Sequence, residues 1–444
     1  MKHAIRLKSL QTNLAEIEVA RPIGRIAAVQ SGILTVTGLD HDARIGDRAE
    51  IRFKTGKALN GEVVQLTEVG VIVLPDDPVQ GIALGDSVFL KRNVGLSPDI
   101  GWLGRIIDPD GAPLDGRPLS KGAMSRPLLS APPAAAKRRP LGPRLDTGHV
   151  VFDTMLPLVQ GQRIGLFAGS GVGKSSLMGK LAQYMSADIV VIAMIGERGR
   201  EVRHFVDHIL GPEGQARSIV VAATSDQSPL LRRRCAWSAM AVAEHFRDQG
   251  MSVLLLADSI TRFAEAHREV AVAAGEAPVL RGFPPSTSHL IMSLCERAGP
   301  GISDQGDITA VFSVLVAGSD MDEPIADILR GVLDGHVVLD RLIAERGRFP
   351  SVDVLRSVSR SLPNAATKDE NDVIAKVRKH LSVYAENQMM IKAGLYTQGT
   401  DAEIDAAVDI WPSLEEAMAG IHANGCKYSF DQLRLVLRRA GRAA

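Results

Sequence analysis

The chain of 444 residues is predicted to be an α/β protein, with a mainly parallel sheet preceded by a small β-barrel and followed by a helical domain. Three changes of pattern along the chain predict this order. Residues 21–94 contain short strand-like runs between turn residues, residues 95–367 hold alternating strand and helix patterns, and residues 368–444 are helical and charged. Residues 1–20 precede the barrel as a separate N-terminal arm.

The N-terminal arm has the spacing of a short amphipathic helix. Its apolar residues recur every three or four positions and form one stripe. This stripe either packs on its own domain or binds a partner. Its members are Leu7, Leu10, Leu14 and Ile17.

The predicted barrel rests on strand-like runs bounded by Gly, Asp and Asn turns. These runs are Ile33–Thr37, Ala49–Phe53, Glu62–Leu66 and Gly70–Leu74. Proline-rich residues 98–140 follow, and we interpret them as an irregular connector that contains no core element.

The central segment alternates apolar runs with helical spacing, which indicates parallel strands covered by helices on both faces. The runs are Arg163–Ala168, Ile189–Ile195, Ser218–Ala223 and Ser252–Ala257, and the helical patterns cover residues 202–210 and Pro229–Asp248. Ligands of such sheets bind beyond the carboxyl ends of the strands, so functional residues are expected there.

The composition excludes several classes of protein. Lys plus Arg equals Asp plus Glu, at 51 each, so the basic surface of a dedicated nucleic-acid binder is not indicated. The basic clusters at 137–139, 232–234 and 438–442 are interpreted as solvated faces. The run Ile189–Ile195 is far shorter than the ~20 residues of a membrane span, and no secretory signal is recognised. Three scattered cysteines give neither a zinc spacing nor a disulfide framework, so a cytosolic location is expected.

Residues 168–175, with the sequence Ala-Gly-Ser-Gly-Val-Gly-Lys-Ser, form a phosphate-binding loop between a predicted strand and a predicted helix. Its glycines allow a tight turn with positive φ, and its N–H groups and the helix N-terminus favour phosphate oxygens. Lys174 is placed on the β- and γ-phosphates and Ser175 on Mg²⁺. The strict motif has Gly where this chain has Ala168, a small enough change to tolerate. The residues predicted to bind nucleotide are Gly169, Ser170, Gly171, Val172, Gly173, Lys174, Ser175 and Ser176.

Two carboxylates follow apolar runs downstream of the loop. Asp258 ends the run that begins at Ser252, where it can hold Mg²⁺ directly or through water. Glu197 follows the run Ile189–Ile195 and can orient the water that attacks the γ-phosphate. The alternative for Glu197 is a helix-start residue favoured by the dipole.

Two arginines are candidates for the same chemistry. Arg198 follows Glu197 and can orient that carboxylate or balance phosphate charge. Arg360 comes too late in the chain to belong obviously to the same pocket. We hypothesise that it acts in trans, completing the site of a neighbouring subunit.

Together these residues resemble the catalytic subunits of rotary and secretion ATPases, the group of the F-type and V-type ATP synthases. More particular motifs resemble the type III secretion branch and, within it, the flagellar type III protein export ATPases. The resemblance covers about residues 22–420. The motifs are Gly196–Glu201, Asp258–Arg262, Arg281–Ser286, Arg330–Gly335 and Ala344–Pro350.

The resemblance implies a RecA-like core and Mg²⁺-dependent ATP hydrolysis that energises protein export. It assigns the catalytic carboxylate to Glu197, supported by Arg198 and by Glu201, a further candidate metal ligand. It places Arg262 nearby and the arginine finger at Arg360. It also places Phe349 against adenine, where the family usually has Tyr, with a core aromatic as the alternative. The segment Ser359–Pro363 departs from the usual motif around the finger.

The resemblance also implies partners. Subunits are expected to form a ring of six at the cytoplasmic face of the inner membrane, below the export gate. A stator-like regulator is expected on the N-terminal arm, a coiled-coil stalk in the ring centre, and chaperone–substrate complexes on the C-terminal domain.

Three other functions remain open from the sequence. The first is the ATPase of a virulence or symbiosis injectisome, which shares nearly all these motifs. The second is a non-catalytic, nucleotide-binding subunit of a rotary ring, against which Glu197 argues. The third is an RNA-translocating hexamer, which the neutral charge and the lack of an aromatic-rich basic face in residues 22–92 disfavour.

Overall fold

The computed structural model describes residues 21–91, 95–279, 281–316 and 321–440. The predicted amphipathic arm, residues 1–20, lies outside this range. The described chain contains a closed barrel, a central nine-stranded sheet flanked by helices and a C-terminal group of helices, which confirms the predicted fold class. No helix in these residues is long and apolar enough to cross a membrane.

The barrel has six antiparallel strands in the spatial order β1-β2-β5-β4-β3-β6, with β6 closing onto β1. Its interior is filled by alternate residues such as Leu34, Val36 and Val63. The predicted runs missed β1 and β6; β1 buries only Gly24 and Ile26, which gives a weak apolar pattern. The strands are β1 Ile23–Gln30, β2 Ile33–Thr37, β3 Arg48–Arg52, β4 Ala58–Thr67, β5 Gly70–Pro75 and β6 Ser87–Lys91.

The proline-rich connector contributes to the core, so its interpretation as a segment without a core element was wrong. Strand β7, Ile106–Ile107, pairs in parallel with β10, Ser218–Thr224, at the edge of the central sheet. Trp102 and Leu128 are also buried against that sheet. Single apolar residues between prolines and glycines give no periodic signal, which is why the pattern missed them.

The central sheet has the order β15-β14-β8-β13-β11-β9-β10-β7, with β12 paired to β13. Apart from β15 and β12, the strands are parallel to their neighbours. The remaining strands are β8 Arg163–Ala168, β9 Ile189–Glu197, β11 Ser252–Asp258, β12 Gly299–Pro300, β13 Asp307–Leu315, β14 Gly335–Leu339 and β15 Val352–Ser359.

Both faces of the sheet are buried, as expected for parallel strands covered by helices. In β9, Ile189, Val191 and Ala193 enter one apolar cluster, while Val190 and Ile192 enter the other. The covering helices are α1 Val150–Asp153, α2 Lys174–Tyr184, α3 Gly199–His204, α4 Gly211–Ala216, α5 Pro229–Arg247, α6 Ile260–Ala273, α7 Ser286–Arg297, α8 Pro324–Val332 and α9 Arg341–Glu345, with a π-helical segment at Phe205–Leu210.

The C-terminal helices begin where the sequence becomes helical and charged. Thr367 and Glu370 form a capping box at the start of the first of them, and Glu370 also pairs with Arg144 at 3.0 Å. These helices therefore start at a defined residue and are tied to the central domain. They are α10 Lys368–Lys392, α11 Ala402–Met418 and α12 Gly425–Ala440.

One buried ion pair joins the barrel to the central domain, and a second, partly buried pair lies within the central domain. Arg233 on α5 pairs with Glu62 of the barrel at 2.5 Å, and Arg234 pairs with Asp110 at 2.6 Å. Both arginines are buried, so the interpretation of residues 232–234 as a solvated face was wrong. Charge content alone does not distinguish a solvated cluster from one that meets carboxylates from distant parts of the chain.

We expect Glu62→Ala to lower the free energy of unfolding by about 3–5 kcal/mol, because it leaves Arg233 buried without its counterion. Urea denaturation followed by circular dichroism measures this change. Glu68→Ala, at an exposed position just after β4, is the control and should change stability by less than about 0.5 kcal/mol. Equal unfolding midpoints for the two variants would contradict the expectation.

Candidate active site

The phosphate-binding loop connects the end of β8 to the start of α2 at the carboxyl edge of the sheet. Gly171 and Gly173 have φ of 76° and 85°, which side chains with a Cβ rarely adopt. A Cβ atom at Gly173 would also lie 3.0 Å from the ring of Phe349. Glycine at 173 thus suits the backbone conformation, and a larger residue would also press on the ring of Phe349.

The loop is held from outside its own sequence. Val172 is buried, and its carbonyl oxygen accepts a hydrogen bond of 2.7 Å from Ser351 Oγ. Ser170, Gly171 and Ser176 are exposed. The loop is thus anchored at its centre while its glycine-rich turn faces solvent.

Four of the predicted residues meet in one small cavity of about 120 Å³ at this edge. Ser175, Glu197, Glu201 and Asp258 all contribute to its wall. They come together because β8, β9 and β11 all end here, and because α2 starts here. Glu197 is the last residue of β9, two residues beyond the predicted end of that strand.

Asp258 is almost completely buried and is held by two neighbours. Lys174 Nζ forms an ion pair with Asp258 Oδ1, and Ser313 Oγ donates a hydrogen bond of 2.6 Å to the same oxygen. Ser313 lies on β13, between β8 and β11. It was not predicted, although a hydroxyl within the apolar run of residues 308–316 is a signal that could have singled it out.

Glu197 has an altered acidity. Burial, and then the charge of Asp258, raises the pKa of Glu197 to about 7, against the opposing effect of Lys174. Hydrogen bonds with Glu197 and Arg198 outweigh burial and hold the pKa of Glu201 below its usual value. The two carboxyl groups therefore titrate as a pair, with the proton favouring Glu197.

The two predicted arginines near Glu197 have different surroundings. Arg198 is exposed, and its Nη1 lies 3.0 Å from Glu201 Oε1. Arg262 lies in the first turn of α6, where its backbone N–H donates to Ser259 Oγ, and its guanidinium pairs with Glu265 at 2.9 Å. A Cβ atom at Gly196 would lie 3.4 Å from Arg262 Cβ, so Arg262 borders the backbone just before Glu197.

Phe349 and Arg360 lie beyond opposite ends of the same strand, β15. Strand β15 is antiparallel to β14, which is parallel to β8. Phe349 precedes the start of β15 and therefore lies beside the phosphate-binding loop, with 48% of its surface exposed. Arg360 follows the other end of β15. That strand has eight residues and spans roughly 26 Å, so Arg360 is separated from the loop of its own chain.

The residues at the loop fit a metal ion that arrives with a nucleotide. Among the described residues, no group of three or more His, Cys, Asp or Glu side chains forms a metal site by itself. Mg²⁺ commonly uses one or two protein ligands together with phosphate oxygens and water. Ser175 and Asp258, which share one cavity, supply such a partial set of oxygen ligands.

Comparison with known families gives two matches. Residues 148–359 match the nucleotide-binding domain of the ATP synthase alpha/beta family. Residues 366–419 match the C-terminal domain of the type III secretion system ATPase EscN. The two matched segments correspond to the central sheet and to most of the C-terminal helices.

Curated relatives match along most of their length. The flagellum-specific ATP synthase of Caulobacter vibrioides is 43% identical over 92% of this chain and 94% of the relative. That of Bacillus subtilis is 45% identical over 83% and 85%. The type 3 secretion system ATPase of Xanthomonas euvesicatoria is 40% identical over 90% of each chain.

Two solved structures superpose closely on this chain. The assembled ATPase EscN from the type III secretion system of enteropathogenic Escherichia coli superposes with a TM-score of 0.84 at 35% identity, covering 93% of this chain and 100% of that chain. EscN in complex with its central stalk EscO gives a TM-score of 0.83 at 34% identity, with the same coverage. The chain therefore belongs to the family of flagellum-specific ATP synthases and type III secretion ATPases.

Proposed function

We propose that this protein hydrolyses Mg²⁺-ATP to energise the export of flagellar proteins through the type III secretion apparatus. The observation that carries the proposal is the meeting of Ser175, Glu197 and Asp258 in one cavity, beside Lys174. This set supplies a phosphate grip, metal ligands and a carboxylate for water activation. The work done on cargo is the unfolding and release of chaperone-bound substrates at the export gate.

Each residue has a proposed role when nucleotide binds. Lys174 exchanges Asp258 for the β- and γ-phosphates. Asp258 and Ser175 would hold Mg²⁺, which would supply positive charge opposite the phosphates. Glu197 orients the attacking water and accepts its proton. The contacts of Glu201 with Glu197 and Arg198 favour a supporting role over that of a metal ligand. Arg262 borders the site from α6.

Phe349 is proposed to stack on adenine, because it is half exposed and lies against Gly173 of the loop. We expect Phe349→Ala to weaken binding of a non-hydrolysable ATP analogue by about 5- to 150-fold. This corresponds to the ~1–3 kcal/mol of an aromatic–base stack. Isothermal titration calorimetry gives the dissociation constants. Phe349→Tyr retains a ring and should bind like the wild type, whereas unchanged affinity in Phe349→Ala would point to a purely structural aromatic.

The active form is proposed to be a homohexameric ring with sites at subunit interfaces. The structural relative EscN is an assembled ATPase, which supports assembly here, and its complex with EscO supports a central stalk partner. We further propose a stator-like regulator on residues 1–20 and chaperone–substrate complexes on the C-terminal helices. The ring would lie in the cytoplasm, peripherally on the inner membrane, with no role for nucleic acid.

The experiment is complementation of a strain that lacks this chain. Wild type should restore swimming and secretion of flagellar subunits into the medium, and Lys174→Ala should restore neither. The purified Lys174→Ala protein should also lose phosphate release, since the phosphate grip is removed. Undiminished phosphate release in that variant would contradict ATP hydrolysis at this site.

An injectisome ATPase is the second candidate, because the Xanthomonas type 3 secretion system ATPase is 40% identical, close to the values of the flagellar relatives. The same deletion strain separates the two. Intact swimming together with lost secretion of effector proteins would support the injectisome and overturn the flagellar assignment.

A further inference from the structure

A second and larger cavity lies between the central sheet and the C-terminal helices. Its volume is about 370 Å³, within the range of small-molecule sites. One wall consists of residues 340–356, which include α9 and the start of β15, and the other consists of α10 and α11. None of the residues assigned above to ATP or Mg²⁺ lines this cavity, so it is separate from the candidate active site.

One wall of the cavity is aromatic. The rings of Tyr384 on α10 and Trp411 on α11 meet edge to face, with centroids 4.3 Å apart. Leu381 and Met418 extend this wall with apolar surface. A rigid aromatic pair of this kind offers a face to a flat ring.

The opposite side carries two guanidinium groups that share one carboxylate. Arg348 Nε and Arg346 Nη2 lie 3.3 Å and 3.9 Å from the same atom, Glu415 Oε2. Burial raises the pKa of Glu415 despite these arginines, so Glu415 is protonated more readily than an ordinary carboxylate. The group therefore has a surplus of positive charge next to the aromatic wall, where Arg346 also lies 5.4 Å above the ring of Trp411.

Arg348 is buried, with only 8% of its surface exposed. Its Nη2 donates a hydrogen bond of 2.7 Å to Val352 O, but its Nη1 has no hydrogen-bond partner in the described part of the chain. Buried donors are rarely left in this state, and each such group calls for a partner. Arg348 lines the cavity, so a small movement of its side chain would let an anion there provide one.

The other acidic groups of the cavity are already engaged. Asp353 accepts the backbone N–H groups of Leu355 and Arg356, and Asp340 accepts that of Ile343. They do not neutralise Arg346 or Arg348 through a described ion pair, but they make a polyanionic ligand unfavourable through repulsion. Arg356 also lines the cavity and offsets the charge of Asp340, from which its Nη1 lies 3.8 Å away, so the cavity favours a ligand with no more than one negative charge.

We propose that this cavity binds a flat aromatic monoanion, such as an aromatic carboxylate or sulfonate. The ring lies against Tyr384 and Trp411, and the anionic group accepts hydrogen bonds from Arg346 and Arg348 in the bidentate manner of guanidinium–oxyanion pairs. A purely apolar ligand would leave Arg348 Nη1 unpaired, and a small inorganic anion would leave the aromatic wall uncovered. The proposal does not depend on the function assigned above.

The test uses 8-anilinonaphthalene-1-sulfonate, a fluorescent aromatic monosulfonate, with the full-length chain. A saturating non-hydrolysable ATP analogue and Mg²⁺ are present so that the nucleotide site is filled. We expect one saturable site with energy transfer from tryptophan. Arg346→Met, Arg348→Lys and Trp411→Leu should each weaken binding at least tenfold. The uncharged N-phenyl-1-naphthylamine should bind at least tenfold more weakly than the sulfonate.

Matched controls separate the site from general binding to apolar surface. Arg341→Met removes an exposed arginine from α9, the helix that ends just before Arg346, and Tyr428→Leu removes an exposed aromatic from α12. Both should bind the probe like the wild type. Retained affinity for the ATP analogue verifies that each variant is folded, and Arg346, being exposed, carries little risk of misfolding. Equal probe affinity in wild type, Arg346→Met and Arg348→Lys would overturn the proposal, and so would loss of bound probe when the ATP analogue is added to a separate sample prepared without it.

Discussion

Arg360→Ala is expected to lower ATP turnover by about 10³–10⁵-fold, the usual contribution of an arginine finger. Arg360 is exposed, and its Nη2 donates a hydrogen bond of 3.1 Å to the carbonyl of Arg330. It follows the end of β15 opposite to the phosphate-binding loop. Its own chain therefore cannot bring it to the γ-phosphate without unfolding this edge of the sheet. In a ring, Arg360 can instead reach the active site of a neighbouring subunit.

Mixing two inactive variants tests the action in trans. Arg360→Ala keeps an intact phosphate loop, and Lys174→Ala keeps an intact finger. In a mixed ring, an interface that pairs the two intact halves should recover turnover, measured as phosphate release. Arg341→Ala, at an exposed position on α9, controls for loss of surface charge. Failure of the mixture to recover activity, with mixed rings verified by co-purification of two differently tagged variants, would refute the finger in trans.

Glu197→Gln is expected to lower kcat by about 10²–10⁴-fold, the range for loss of a positioned general base. Glutamine keeps the size of the side chain and a hydrogen-bonding oxygen but cannot accept the proton of the attacking water. Affinity for a non-hydrolysable analogue should be little changed. Glu213→Gln, at an exposed position on α4, is the control. Equal turnover in wild type and Glu197→Gln would instead favour a non-catalytic, nucleotide-binding subunit.

The raised pKa of Glu197 predicts a pH dependence of the wild-type enzyme that Glu197→Gln should lack. Burial and Asp258 raise the pKa of Glu197 to about 7, so the free protein gains the carboxylate form as pH rises through that value. Because kcat/KM reports the free enzyme, wild-type kcat/KM should fall as pH drops below about 7. The residual activity of Glu197→Gln should lack this step. A step of the same position and size in both would assign the titration to another group.

Local sequence predicted most of the strand and helix order and the residues at the loop. Glycine spacing at 169, 171 and 173 acts within one turn, and Asp258 and Glu197 end apolar runs, so neither inference needed long-range information. The parallel arrangement then placed both carboxylates at one edge. Apolar runs of several residues, such as Ile189–Ile195, correspond to strands in the structure, with ends shifted by one or two residues.

Other features depended on contacts between segments far apart in the chain. Ser313 reaches Asp258 only because β13 lies next to β11, and Ser351 reaches Val172 across 179 positions. In the sequence, residues 232–234 do not differ from other basic clusters. Only the fold brings Glu62 and Asp110 next to Arg233 and Arg234. The connector's Trp102 and Ile107 are buried without any local periodicity.

By itself the sequence determined the fold class, the phosphate-binding loop and the chemical types available around it, because these follow from short-range periodicity, glycine conformations and motif spacing. Only the tertiary structure decided which groups share a cavity, that Glu197 carries a raised pKa, and that Arg360 lies at the far edge of its own sheet. The physical reason is that strand order and burial set the distances and the dielectric environment between residues, and neither is written in any local pattern.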